Sequence, residues 1–136
     1  MATANYDFER ARAFFADRVG FTTGTHELEV LIGSDADPAG YQVVDVRFPG
    51  DYDQGHVPGA INLPMAKWGN RRYLEEHLHK DATLYVYCYT PTCHLAAQAA
   101  VKLTAAGYRV IEVEGGWEDW AQRGYAVERT ERVKSA

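Results

Sequence analysis

The sequence predicts an α/β fold: a mainly parallel sheet covered by helices on both faces, in three layers. Three observations lead there. First, apolar and β-branched runs at 41–46, 83–88 and 109–113 read as strands, with segments of helical periodicity between them; right-handed crossovers joining such strands make the sheet parallel and put helices on either side. Second, the run Thr-Leu-Tyr-Val-Tyr-Cys at 83–88 shows no polar alternation, which suits a central strand buried on both faces. Third, 136 residues with 46% hydrophobic content fit one ordinary domain with its own core.

Taken in order, residues 7–19 place Phe8, Ala11, Phe15 and Val19 on one helical face, and Gly20 ends the helix. An extended piece at 21–23 follows. Thr25 is a suitable cap for a second helix reaching Ile32, with Glu27 in its first turn. Residues 33–40 are a turn. The strand at 41–46 closes on Asp45-Val46-Arg47, and 48–59 is a Gly- and Pro-punctuated loop with room for one helical turn. A short strand at 60–63 stops at Pro64, and a polar helix covers 68–78. The strongest helix is predicted over 92–106, where Leu95, Ala99, Leu103 and Ala106 form a stripe and Gly107 follows as C′. After the strand at 109–113, Gly115-Gly116 turns the chain into a last helix over 117–122, and the charged tail, 128–136, is expected to fray.

Composition narrows the function. Fourteen basic against nineteen acidic side chains give a net charge of −5, which argues against a nucleic-acid partner. No run approaches the ~18 apolar residues of a membrane span. The polar start of the chain lacks the apolar region of a secretory leader, so a cytoplasmic setting is expected. Two cysteines do not make a disulfide scaffold.

They do make a candidate site. Cys88 ends the buried strand and precedes Tyr89-Thr90-Pro91-Thr92-Cys93-His94, which opens a helix. A thiol there faces backbone amides and the positive end of the helix dipole, so its pKa is expected to fall, and the same amides can hold an extra negative atom on the sulfur. The bland alternative is a buried structural cysteine.

The residues around this point resemble a known family. Val43-Val44-Asp45-Val46-Arg47, Asp51-Tyr52, and the stretch from Gly55-His56-Val57-Pro58-Gly59 to Asn62-Leu63-Pro64 are similar to the rhodanese pattern. So are Val86-Tyr87-Cys88, the six-residue loop from Cys88 to Cys93, Gly107-Tyr108 and Glu114-Gly115-Gly116-Trp117. The resemblance implies a rhodanese-like three-layer fold over 21–127, with 1–20 as an N-terminal helical extension. It implies sulfurtransfer by ping-pong: a small-molecule sulfane-sulfur donor converts Cys88 to a persulfide, which a thiol or cyanide acceptor then takes. No cofactor and no metal are expected. Phosphatases and arsenate reductases of this fold carry a loop one residue longer that ends in arginine, so oxyanion chemistry is not expected here.

The loop departs from the usual rhodanese pattern. Tyr89 and Cys93 stand where thiosulfate enzymes often place basic residues, and Pro91 lacks an N–H, although it could instead start the helix at N1 with Thr90 as cap. These features favour polysulfide or glutathione persulfide over thiosulfate as donor. Tyr89, Thr90, Thr92, Cys93, His94 and Arg47 are the candidate substrate-binding residues. Cys93 has two readings: a partner that closes a disulfide with Cys88, making the pair a redox or persulfide-carrier module, or a small apolar filler. Arg47 either holds loops in register with Asp45 or presents charge to the pocket. Arg71, Arg72 and Lys67 are candidate cations or simply solvated; Trp68 and Trp117 rim the pocket or fill the core; His56 packs within its loop. Phe8, Phe14 and Phe15 would cover either the chain's own domain or a second copy, a homodimer.

Overall fold

The computed structural model describes residues 5–131. The chain runs through α1 (Phe8–Phe21), β1 (Thr22–Thr23), α2 (Thr25–Ile32), β2 (Tyr41–Asp45), α3 (Pro49–Gln54), β3 (Ile61–Asn62), α4 (Arg71–His77), β4 (Thr83–Tyr87), α5 (Leu95–Ala105), β5 (Arg109–Val113) and α6 (Gly116–Gln122). The five strands form one all-parallel sheet in the order β1-β5-β4-β2-β3. The unpunctuated run is indeed central: β4 pairs with β2 through Val44↔Val86 and with β5 through Leu84↔Val110.

Strand alternation divides the core in two. Val44, Leu84, Val86 and Cys88 face one layer, packing with Leu74 of α4 and with Ala96, Ala99 and Leu103 of α5. Val43, Tyr87 and Val113 face the other, with Leu28 of α2 and Trp120 of α6. The alanines of α5 let its backbone approach the sheet closely. Among the described residues no helix is long and apolar enough to cross a membrane.

Three local expectations are corrected. The N-cap of α2 is Gly24; Thr25 instead turns its hydroxyl to the Asp119 carboxylate on α6, tying the two helices together. The apolar stripe of α1 is not a buried face: Phe8 is 78% and Val19 82% exposed, and only Ala11 is half-buried. The helix continues through Phe21 directly into the edge strand β1, lies beside β1 and β5, and is tied there by the Arg18–Glu114 ion pair. The start of the tail is held: His56 and Glu128 bridge their backbones, and the Thr130 N–H donates to the Asp53 carbonyl at 3.0 Å. The remainder of the tail, 132–136, lies outside the described residues.

Candidate functional site

Cys88 directly follows β4 at the carboxyl edge of the sheet, where open α/β folds place their ligands, and is 3% exposed. The segment after it is a loop as far as His94. The Cys93 N–H donates to the Thr90 carbonyl at 3.1 Å, so Pro91 occupies the second position of a β-turn, where its fixed φ fits and its missing N–H is not needed. This corrects the expectation of a helix from residue 92 with Pro91 at N1. Helix α5 begins at Leu95, and His94 is its N-cap, without a side-chain capping bond.

The amide cradle is correspondingly different. The Cys93 N–H is spent on the turn. The amides of Tyr89 and Ala96 favour the ionised form of Cys88, and those of Tyr89, Thr90 and Leu95 that of Cys93. Helix α6 orients two of them. Its Trp117 N–H donates to the Cys88 carbonyl at 2.8 Å and its Glu118 N–H to the Tyr89 carbonyl at 2.9 Å. In a planar trans peptide the N–H points away from the C=O, so pulling both carbonyls outward aims the Tyr89 and Thr90 amides inward. Gly116 makes this approach feasible: a Cβ there would lie 2.9 Å from the Cys88 carbonyl oxygen and 3.1 Å from the Thr90 nitrogen.

Electrostatics at the two sulfurs also depart from expectation. Burial pushes the Cys88 thiol up to about 12, and the adjacent Cys93 adds to the rise; the amides of Ala96 and Tyr89 offset only part of it. Burial opposes ionisation of Cys93 too, but the hydrogen bond from Cys88 and the amides of Tyr89, Leu95 and Thr90 outweigh it, and its pKa falls. The amide donors were legible in the sequence but the depth of burial was not, and no cation among the described residues figures in the main causes of either change. Alkylation by a neutral reagent, mapped peptide by peptide, is expected to quicken at Cys88 throughout the alkaline range toward pH 12, while Cys93 levels off at lower pH. A plateau for Cys88 near neutrality would contradict this.

Beneath the loop lies a buried ionic network. Asp45 is wholly buried and Arg47 is 3% exposed. The Arg47 guanidinium donates to both Asp45 carboxylate oxygens at 2.8–3.1 Å and to the Gly55 carbonyl at 2.6 Å. Tyr87 donates its hydroxyl to Asp45 at 2.6 Å and accepts the Val57 N–H at 3.1 Å. The Arg47 charge is covered by the rings of Trp117 at 4.7 Å and Tyr89 at 5.7 Å. Arg47 therefore braces the loop from below. Its neighbour Tyr89 donates to the Asp51 carboxylate at 2.5 Å and accepts the Phe48 N–H at 3.0 Å. Arg47, Asp51, Gln54, Gly55, Tyr89 and Trp117 line a cleft of about 330 Å³ beside the loop.

The structure thus brings together Cys88, Tyr89, Thr90, Cys93 and Arg47. Thr92 and His94 are exposed at the rim, and the Thr90 and Thr92 hydroxyls lie 3.5 Å apart. Asp51 and Gly116 enter the sequence reading as parts of the family pattern, without a role at the site, and the Leu95 and Ala96 amides do not enter it. A helix start at 92 gives the cradle to the amides of 89–93 apart from Pro91, of which Tyr89 and Thr90 are kept while Leu95 and Ala96 are added; Asp51 meets Tyr89 only across 38 positions. Trp68 is core, its indole N–H donating to the Leu63 carbonyl, whereas Trp117 lines the cleft. Arg72 pairs with Glu76 on the surface, Lys67 lies over the Tyr73 ring, and His56 stacks on Tyr52 within its loop.

Comparison with known proteins agrees with this architecture. The rhodanese-like domain model matches residues 25–123. An HTH-type transcriptional regulator of Mycobacterium tuberculosis is 36% identical over 63% of this chain, but the match spans only 37% of that protein. The chloroplastic thiosulfate sulfurtransferase 16 of Arabidopsis thaliana is 31% identical over 71% of this chain and 88% of its own length. Among solved structures, the BH2092 protein from Bacillus halodurans superposes with a TM-score of 0.81 at 31% identity, covering 91% of this chain and 88% of that one. With its parallel sheet and the cysteine loop at the sheet's carboxyl edge, the chain belongs to the rhodanese-like domain family.

Proposed function

We propose that this protein is a sulfurtransferase in which Cys88 carries sulfane sulfur from a small-molecule donor to a thiol or cyanide acceptor. The observation that carries the reading is Cys88 buried at the carboxyl end of β4, in a loop whose Tyr89 and Thr90 amides are turned inward by the hydrogen bonds from Trp117 and Glu118. An anionic outer sulfur on Cys88 would be held there by backbone dipoles alone. The Cys88 sulfur attacks the sulfane sulfur of the donor and expels its thiolate, which takes the Cys88 proton. An acceptor thiol then attacks the outer sulfur, and Cys88 leaves with the acceptor's proton. Arg47 supports the loop from beneath, and Thr92 and His94 form the exposed mouth that meets donor and acceptor.

Since the loop offers amides and no cation, a persulfide monoanion suits it better than the thiosulfate dianion. Glutathione persulfide or polysulfide is therefore expected to exceed thiosulfate in kcat/KM, and a reducing compartment such as the cytoplasm would keep the thiols free. Intact mass after donor exposure tests the core of the reading. One sulfur atom is expected on a chain with Cys88 and none on Cys88→Ser, whose turnover should fall to background. Sulfur uptake or turnover that survives Cys88→Ser would overturn it.

A further inference from the structure

Cys93 does more than line the cradle. Both cysteines are free, five positions apart in one folded loop, and both pack in the same cluster between the sheet and α5. The Cys88 thiol donates to the Cys93 carbonyl at 3.4 Å. The Tyr89 amide favours the ionised form of both sulfurs. The turn that closes on Thr90 leaves Cys93 half-buried and within reach of solvent, while Cys88 lies below it.

We propose that Cys93 is a resolving cysteine: its sulfur attacks Cys88 Sγ of the persulfide, expels the outer sulfur as hydrosulfide and leaves a Cys88–Cys93 disulfide. The inference rests on the Cys88 persulfide proposed above. The step balances. The bond between Cys88 Sγ and the outer sulfur breaks, and the Cys88–Cys93 bond forms. Cys88 Sγ keeps its oxidation state, Cys93 Sγ is oxidised and the outer sulfur is reduced by the same amount, leaving with the proton released from Cys93, so no outside oxidant is needed. A dithiol reductant then reopens the disulfide by exchange.

Cys93 is suited to the attack because its pKa is the lowered one of the pair, so it supplies the thiolate. Attack on the inner sulfur also spares the buried Cys88 from leaving as a free anion. The loop would then choose between two fates for the persulfide. A good acceptor takes the outer sulfur; without one, Cys93 discharges it as sulfide and the pair waits, oxidised, for a dithiol.

The test uses the reduced full chain with one equivalent of glutathione persulfide and no other thiol, quenched by alkylation and read by non-reducing intact mass and sulfide assay. The wild type is expected to lose two hydrogens and release one sulfide per chain. Cys93→Ser and Cys93→Ala should instead retain one added sulfur on Cys88 and lose that release. A wild-type chain that keeps the added sulfur with its two cysteines unlinked would overturn the resolving role and leave the sulfurtransferase reading standing. No change of mass in any chain, wild type included, would overturn the persulfide reading itself. Because the wild type alone separates these results, the test does not depend on either variant folding.

Discussion

Replacing Arg47 by alanine is expected to remove about 3–5 kcal/mol of stability, the usual cost of breaking one side of a buried ion pair. Asp45 has no exposed surface and receives three guanidinium hydrogen bonds. Without them its carboxylate would keep only the Tyr87 hydroxyl and the Arg47 backbone N–H. The Gly55 carbonyl would also lose a donor, and the Trp117 and Tyr89 rings would lose the plate on which they rest. Against a total of roughly 5–15 kcal/mol for a domain, this is a large share. Urea unfolding would show it as a lowered midpoint with an unchanged slope. Arg72→Ala, at the exposed Arg72–Glu76 pair, should not move the midpoint measurably. An apolar pair of similar volume at both 45 and 47 should recover most of the loss, because the penalty lies in stranding one charge. If Arg47→Ala unfolds like the wild type, the network is not what holds the loop.

The parts of this fold legible in the sequence were those set by local pattern. An unbroken β-rich run can only be satisfied by a strand covered on both faces, which is what β4 is, and a cysteine at its end must lie at the ligand edge of a parallel sheet. What was illegible depended on partners distant in sequence. Periodicity placed Phe8, Phe15 and Val19 on one face of α1 but could not say whether any surface would bury that face, and all three are exposed. Pro91 suits both a helix N1 and a turn, and only the Thr90–Cys93 hydrogen bond chooses between them. The helix start moved with that choice, and the identity of the cradle amides moved with it. For Cys88 the donors could be anticipated; the depth of burial that outweighs them could not, because it comes from residues of α4 and α5 that pack in one cluster with it. Asp45, Arg47 and Tyr87 were visible singly, yet the tie between Tyr87 and Asp45 spans 42 positions.

Gly116→Ala is expected to lower sulfurtransfer at least about tenfold while leaving the chain folded. Two costs combine. At φ +64° a Cβ is strained, typically by about 1–2 kcal/mol. That Cβ would also stand 2.9 Å from the Cys88 carbonyl oxygen, 3.0 Å from the Tyr89 carbonyl carbon and 3.1 Å from the Thr90 nitrogen. All three are backbone atoms, so no flexible side chain can yield; the loop or the start of α6 must move. Either movement lengthens the Trp117 and Glu118 hydrogen bonds that aim the Tyr89 and Thr90 amides at the sulfurs. A shift of well under an ångström is enough, because hydrogen bonds weaken steeply once stretched beyond their normal range; a tenfold loss corresponds to ~1.4 kcal/mol of transition-state stabilisation. Gly124→Ala separates the two costs. Gly124 has a similar φ of +72° but open space where its Cβ would go, and it lies beyond α6, away from the loop. It should therefore show the backbone strain as a modest loss of stability with sulfurtransfer unchanged. Equal activity losses in the two variants would mean that the close approach of Gly116 to the cysteine loop is not what positions the amides.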